Sequence, residues 1–191
     1  MFQIVTRRGP VKLHDPTAIR ALAHPARLAV IEELYSGREL TATECAEIAG
    51  LSPSAMSYHL RNLEKHGIVE RADSAADGRE RPWRAAGSYL QVTTDSIGDA
   101  SSAALSTTVV ARLAEQFGRW LATRNQDDEQ WQRAAIVSSA QVWLLPEEVN
   151  EIAEYLDDKL EQYRDRRDDP PEGARRVRLA AFAFPSDKPR R

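Results

Sequence analysis

The chain has 191 residues, of which 42% are hydrophobic and 29% are charged, and its formal net charge is −3. This length predicts one domain, or a small domain with an appendage. The charge excludes a uniformly basic surface, so any DNA-binding face must be a local patch. The single cysteine excludes an internal disulfide and a metal cage built from several cysteines.

The N-terminal stretch MFQIVTRRGPVKL has no signal-peptide core, and no apolar run reaches the length of a membrane span. We therefore expect a cytoplasmic protein without a membrane partner. The sequence has no glycine-rich phosphate loop, no G-x-S-x-G and no H-E-x-x-H, which predicts that it is not an enzyme. The acidic pairs Glu32-Glu33 and Glu147-Glu148 are interpreted as helix surface charge.

Helices are predicted at 17–24 and 24–37. Pro25 suits the first position of the second helix, and Gly37 ends it. The apolar stripe of this helix consists of Leu28, Ile31, Leu34 and Tyr35.

A third helix is predicted to begin after Thr41 and to end at Gly50. Thr41 and Glu44 have the spacing of a capping box, and Leu40 and Cys45 occupy the two positions of a hydrophobic staple. Cys45 is therefore interpreted as a small core residue.

A fourth helix is predicted over 53–66, with Ser52 as its N-cap, Pro53 at its first position and Gly67 after its end. At 100° per residue, one face consists of Met56, Leu60 and Leu63, which predicts contact with the core. Two short helices joined by a turn that contains glycine predict a helix-turn-helix. The segments 68–72 and 81–86 then predict two strands around an Asp77-Gly78 turn, which is a β-hairpin or wing.

The segments ALAHPARLAVIEEL and LTATECAEIAGLSPSAMSYHLRNLEKHGIVERA, followed by the arginine-bearing hairpin, resemble the ArsR/SmtB family of winged-helix transcriptional regulators. The resemblance covers residues 16–90. It implies a sequence-specific DNA-binding regulator that acts as a homodimer on double-stranded DNA with a palindromic operator. Repression is the expected mode, with activation as the alternative.

The outer face of helix 53–66 carries short hydroxyls, an amide and one arginine, which can meet base edges in the major groove. The resemblance implies this role for Ser54, Ser57 and Tyr58. His59 lies nearer the core edge, so packing is favoured for it over a base contact. The candidate DNA-binding residues, including wing arginines that can reach the DNA backbone or minor groove, are Ser52, Ser54, Ser57, Tyr58, His59, Arg61, Asn62, Lys65, Arg79, Arg81 and Arg84.

Arg27 is open to two interpretations, a contact to DNA phosphate or an internal pair with an acidic residue. The wing arginines also have an alternative, since charged residues commonly protect an exposed hairpin edge.

Metal sensing, which many members of the family perform, is not expected here, and no cofactor is predicted. Where the family has a C-x-C pattern at the start of the third helix, this sequence has Thr41 and Thr43, and hydroxyls do not replace thiolates for soft metals. A second family site uses Asp and His on the terminal helix, and helix 101–124 contains no histidine.

Helix 101–124 is predicted to mediate dimerisation through a long apolar stripe. Packing of part of this stripe on the protein's own core is the alternative. The stripe consists of Leu105, Val109, Leu113, Phe117 and Trp120.

The remaining sequence predicts a β-α-β region, with strands at 133–144 and 175–184 and a helix that begins at Pro146. It could bind a small-molecule effector of unknown identity, add dimer contacts or brace the dimer helices.

The predicted fold is mainly α with α+β additions. The predicted parts are a winged helix-turn-helix domain at 1–94, a dimerisation helix at 95–124, a β-α-β accessory region at 131–185 and a disordered tail at 186–191. The alternative function is a winged helix that serves protein interaction and has no DNA role.

Overall fold

The structure is a computed structural model that describes residues 9–72, 81–92, 100–164, 166 and 169–187. The chain divides into an N-terminal unit, Met1–Gln116, and a C-terminal unit, Phe117–Arg191. The division lies within the long helix that follows the wing, and the predicted domain boundaries at 94 and 124 stay predictions. None of the described helices combines the length and the hydropathy that a membrane span needs.

The N-terminal unit has the predicted mixture of helices with small strands, and its four consecutive helices lie close to the predicted positions. In chain order the elements are β1 (Val11–Leu13), α1 (Pro16–Leu22), α2 (Pro25–Leu34), α3 (Ala42–Ala49), α4 (Pro53–Lys65), β2 (Val69–Arg71), β3 (Trp83–Ala85), β4 (Leu90–Val92) and α5 (Ala100–Thr123).

The ends of α3 and α4 confirm the predicted capping residues. The backbone N–H of Thr41 donates to Glu44 Oε2 at 2.7 Å, and Glu44 N–H donates back to Thr41 Oγ1 at 3.2 Å. Gly50 follows α3 with φ of 65°, in the left-handed region that glycine adopts without strain. Ser52 caps α4, and Pro53 occupies its first position.

The core of the N-terminal unit lies between the helices of the helix-turn-helix and the hairpin. The predicted inner face of α4 is confirmed, because Met56, Leu60 and Leu63 are fully buried. Cys45 is fully buried in the same cluster. The predicted stripe of α2 is also in the core, and the hydroxyl of Tyr35 at its edge donates to the Ile68 carbonyl at 2.7 Å.

The hairpin predicted after α4 is present as the antiparallel pair β2 and β3, with Glu70 opposite Arg84. Its predicted Asp77-Gly78 turn lies outside the described residues. The buried Trp83 of β3 also forms a β-bridge with Leu40, which joins the hairpin to the segment before α3.

The sequence patterns did not predict the parallel pairing of β1 with β4, in which Val11 lies opposite Leu90. Gly87 makes this pairing possible, because a Cβ at that position would lie 2.6 Å from the Gly9 carbonyl oxygen.

The C-terminal unit contains the predicted helix, α7 (Pro146–Arg164), but the two predicted strands are wrong. Arg133 begins no strand and belongs to the short helix α6 (Glu129–Ala134), while 135–145 and 174–186 are extended without a β-ladder. Alternating apolar residues indicate a strand preference, yet a strand also needs a hydrogen-bonded neighbour. Of the predicted disordered tail, residues 188–191 lie outside the described part of the chain.

Candidate nucleic-acid interface

The outer face of α4 is the most distinctive polar surface of the helix-turn-helix. Opposite the three buried residues, Tyr58 is 66% exposed, and Ser54, Arg61 and Lys65 are also exposed. Ser57 and Asn62 are half-buried on the flanks of this face. The helix therefore presents an aromatic hydroxyl, a small hydroxyl and two cations along one side, as the spacing predicted.

The first turn of α4 gives Ser52 a structural role. Its hydroxyl accepts the Ala55 backbone N–H at 3.3 Å and lies 3.1 Å from the Ser54 hydroxyl. Because the cap uses an acceptor position of Ser52, Ser54 is the better placed of the two hydroxyls to meet a ligand at this end of α4.

Arg27 of α2 binds α4 from inside the protein. Its Nε–H donates to His59 Nδ1 at 3.1 Å, and Nη1 donates to Asn62 Oδ1 at 3.1 Å and to the Ala21 carbonyl at 2.7 Å. Arg27 is thus bonded inside the protein, as one of its two interpretations held, but its partners in these contacts are an imidazole, an amide and a carbonyl instead of an acidic residue. Burial lowers the pKa of Arg27, since these neutral partners do not compensate for lost hydration.

His59 packs beside His24 instead of facing outward, in agreement with the packing role favoured for it. The ring centroids are 4.6 Å apart, and His24 Nδ1 caps α2 by accepting the Ala26 N–H at 3.2 Å. Burial, and then the nearby positive charge of Arg27, lowers the pKa of His24. The pKa of His59 is lowered by burial and by the charges of His24 and Arg27.

The two described arginines of the wing differ in their surroundings. Arg81 is exposed, while Arg79 lies outside the described residues. Arg84 is bound to acids, with Nε 2.8 Å from Glu70 Oε1 and Nη1 3.8 Å from Glu39 Oε1. Since Glu70 on β2 and Glu39 before α3 hold its guanidinium, protection of the hairpin edge is favoured for Arg84 over a DNA contact.

Arg71 is a wing residue that sequence reasoning missed. Its guanidinium lies over the indole ring of Trp83, 3.8 Å from the centroid. This cation–π contact covers the buried tryptophan and supports the hairpin. The arginine and the aromatic residue lie on separate strands, so their separation in the sequence gave no signal of the contact.

Part of the apolar stripe predicted for dimerisation packs on the core of its own chain, and dimerisation through the rest stays a prediction. Leu105 and Val109 pack against the core of their own N-terminal unit, so the alternative interpretation holds for this part of the stripe. Leu113 and Trp120 are half-buried, and Phe117 is 42% exposed. The rings of Phe117 and Trp120 stack with centroids 5.5 Å apart.

Polar contacts fix the first part of α5 to α2. Arg112 donates from Nε and Nη2 to the two oxygens of Glu32 at 3.0 and 2.9 Å, and Gln116 Nε2 donates to Glu32 Oε2 at 2.8 Å. The interpretation of Glu32 as plain surface charge is therefore wrong. Its carboxylate joins two helices that are about 80 residues apart in the chain.

Within the described ranges, no cluster of three or more His, Cys, Asp or Glu side chains has an arrangement that could hold a metal ion. Cys45, which carries the sequence's single thiol, is fully buried. Metal independence stays a prediction, and its test is given below.

Residues 22–72 match the model of a family described as a helix-turn-helix domain. A protein of Streptomyces lividans named "Probable mercury resistance operon repressor" is 40% identical over 68 residues, which are 35% of this chain and 54% of that protein. The chain thus spans about half the length of this curated relative. The segment 22–72 that matches the family model contains α2, α3, α4 and β2. The family match and the geometry therefore identify the same part of the molecule.

Two solved structures are similar at low identity. One is the homodimeric winged helix-turn-helix DNA-binding domain of a possible ArsR-family transcriptional regulator from Mycobacterium bovis, with 18% identity, a TM-score of 0.33, and coverage of 55% of this chain and 80% of that one. The other is a MarR family protein of Mycobacterium tuberculosis in complex with salicylic acid, with 21% identity, a TM-score of 0.32, and coverage of 75% and 85% respectively.

Proposed function

We propose that the chain is a homodimeric, sequence-specific DNA-binding transcriptional regulator that acts as a repressor. The observation that carries this proposal is the two-sided character of α4 within a winged helix-turn-helix. One side is fixed by three fully buried residues, and the other exposes Tyr58, Ser54 and two cations. A helix held in this way presents a rigid, hydrogen-bonding surface to a major groove.

The exposed residues divide into two classes along α4. Ser54 and Tyr58 lie in its N-terminal half, where a recognition helix meets base edges. Arg61 and Lys65 lie one and two turns further on and are placed for phosphates. Ser57 and Asn62, half-buried on the flanks, supply further polar groups at the margins of the groove. Arg81 and Arg79 of the wing are proposed to contact the DNA backbone beside the helix.

The proposed homodimer matches the two-fold symmetry of a palindromic operator. A two-fold homodimer places two α4 helices on two half-sites of a palindrome, about one turn of duplex apart. A small-molecule effector of unknown identity could tune affinity by changing the separation of these two helices. We place the chain in the cytoplasm and propose that it has neither a resident metal nor an enzymatic activity.

The test begins with fragments of the host's genomic DNA selected by binding to the full chain. Wild type and Tyr58→Ala are then titrated by fluorescence anisotropy on a selected duplex and on its scrambled version. Tyr58→Ala should weaken cognate binding by about 1–3 kcal/mol and change scrambled binding little, because it removes a base contact and no charge. Circular dichroism checks that the variant folds.

Arg38→Ala is the matched control from the same unit, because Arg38 lies outside α4 and is paired with Glu33 at 3.0 Å. It should bind both duplexes like the wild type. If Tyr58→Ala and Arg61→Ala both bound the cognate duplex like the wild type, α4 would not be the reading element. A protein-interaction role for the winged helix would then replace the proposal.

A further inference from the structure

The C-terminal unit exposes an unusual amount of apolar surface. None of its described residues is buried, and fifteen large hydrophobic side chains between residues 136 and 184 are at least 36% exposed. They are Ile136, Val137, Val142, Trp143, Leu144, Leu145, Ile152, Tyr155, Leu156, Leu160, Tyr163, Val177, Leu179, Phe182 and Phe184. Isolated exposed apolar residues are normal, but a set this dense marks an interaction surface.

The exposed residues are ordered along the elements that carry them. On α7, Ile152, Leu156, Leu160 and Tyr163 are spaced by four, four and three residues, so they share one helix face. In the extended segments, Ile136 and Trp143 are 84% and 82% exposed, and Phe184 is 77% exposed. The helix and both segments therefore all expose large apolar side chains.

The amount of this surface matches a stable dimer. At about 100 Å² for each partly exposed large side chain, the fifteen residues offer on the order of 1,500 Å² per copy, so about half of them facing one partner would supply the roughly 800 Å² per partner of a standard interface. A helix and two extended segments without a buried residue cannot hold themselves together. A partner must therefore cover this apolar surface whenever the chain is folded. A second copy of the same chain is always present to do so.

We propose that a second copy of this chain covers the apolar surface of the C-terminal unit, and that the extended segments 135–145 and 174–186 of both copies pair into one sheet. The proposal rests on the homodimer of the proposed function and assigns it a second interface, in addition to α5. Phe117 and Leu121 at the end of α5, in the same unit, are also exposed, each at 42%.

The arrangement of the two segments favours strand pairing. Gln141 Nε2 donates to Ser186 Oγ at 3.1 Å, and Arg175 Nη1 donates to Asp127 Oδ1 at 2.6 Å. The first contact joins the two segments at one point, while Asp127 in the second contact precedes α6 and lies outside both segments. A two-stranded sheet is marginal in water, while four strands from two copies form a sheet of ordinary size.

Charge argues against DNA or an anionic membrane as the occupant. Helix α7 has seven acidic residues against Lys159 and Arg164, a net charge of −5. Such a helix repels phosphate at short range. The segment RRVR at 175–178 is basic, and its first arginine, Arg175, is bonded to Asp127 of the same copy.

The test compares the full-length wild type with Ile136→Lys/Phe184→Lys. In a single copy both side chains are exposed, so lysine is tolerated there, while in the proposed interface it places two cations in an apolar contact. Gln130→Lys/Gln132→Lys adds the same charge at exposed polar positions of α6 and serves as the control. Sedimentation equilibrium at micromolar concentration measures the mass, and hydrogen–deuterium exchange measures amide protection in both segments.

The wild type and the control should have twice the chain mass of 21.4 kDa, with protected amides in both segments. The double variant should dissociate at least tenfold more readily and lose that protection, with unchanged helix content by circular dichroism. A monomeric wild type would overturn this proposal together with the homodimer of the proposed function, whereas a double variant with wild-type mass and protection would overturn this proposal alone. The second result leaves DNA binding untouched, and a dimer that passes this test but binds no DNA would refute the proposed function alone.

Discussion

Arg27 on α2 donates its Nε–H to Nδ1 of His59 on α4 across 3.1 Å, which ties the candidate recognition helix to the helix two elements before it. The same guanidinium also holds Asn62 of α4 and the carbonyl of Ala21 at the end of α1. One side chain therefore sets the position of α4 relative to α1 and α2. The orientation of Tyr58, next to His59, depends on this arrangement.

Arg27→Ala should lower the free energy of unfolding by about 1–3 kcal/mol, because it leaves three half-buried acceptors without their donor. Arg27→Lys should recover only part of the loss, since an ammonium lacks the planar fork that reaches three acceptors. Urea unfolding followed by circular dichroism measures both variants. Arg38→Ala, which removes an exposed ion pair, should cost less than about 1 kcal/mol. Equal stability of Arg27→Ala and wild type would refute the positioning role.

Acidification should weaken the N-terminal unit. His24 and His59 have lowered pKa values in the folded chain, so the unfolded chain binds more protons once the pH falls below about 6.5. Their contribution to stability is complete above that pH and is lost as the pH falls through it toward the lower folded-state values. Urea midpoints between pH 7.5 and 5.5 should therefore decrease. His24→Asn, which keeps a capping side chain, should reduce this decrease, and an unaltered pH dependence would contradict the prediction.

Arg61→Ala should weaken binding to cognate and scrambled duplexes alike, because a phosphate contact carries no sequence information. The slope of log affinity against log salt should fall by about 1, as one fewer counterion is released. Titrations at four salt concentrations measure this slope, with Arg38→Ala as the variant that loses the same charge elsewhere. A loss confined to the cognate duplex would instead identify Arg61 as a base-reading residue.

Arg112→Ala should cost about 1–3 kcal/mol of stability, because the carboxylate of Glu32 is only 17% exposed and loses a bidentate partner. A double-mutant cycle with Glu32→Gln isolates the pair from its surroundings. Arg133→Ala breaks an ion pair whose side chains are 77% and 75% exposed, and it should cost less than about 1 kcal/mol. A coupling energy near zero for Arg112 and Glu32 would contradict the role in fixing α5.

DNA affinity should be unchanged by chelation and by stoichiometric Zn²⁺ or Hg²⁺, because Cys45 is fully buried and Thr41 and Thr43 offer no thiolates. Anisotropy titrations with and without each ion measure this, alongside the metal content of protein purified without added metal. Stoichiometric zinc whose removal abolishes DNA binding would refute metal independence. Release of DNA by Hg²⁺ in the wild type, but not in Cys45→Ala, would do so as well.

The sequence by itself determined the local features of the helix-turn-helix. A capping box, a proline at a first helical position and a left-handed glycine act within a few residues of one another, so their spacing predicts them directly. The same holds for the buried face of α4, because helical geometry fixes which side Met56, Leu60 and Leu63 share.

The tertiary structure alone decided which partners meet across the chain. Arg27 and Arg112 have partners 32 and 80 residues away, Arg84 pairs with Glu70 on the neighbouring strand, and β1 pairs with β4 beside Gly87. The alternation in 133–144 and 175–184 likewise indicated extended chain without showing whether a ladder forms. Such contacts depend on how helices and strands pack in space, and neither composition nor periodicity contains that information.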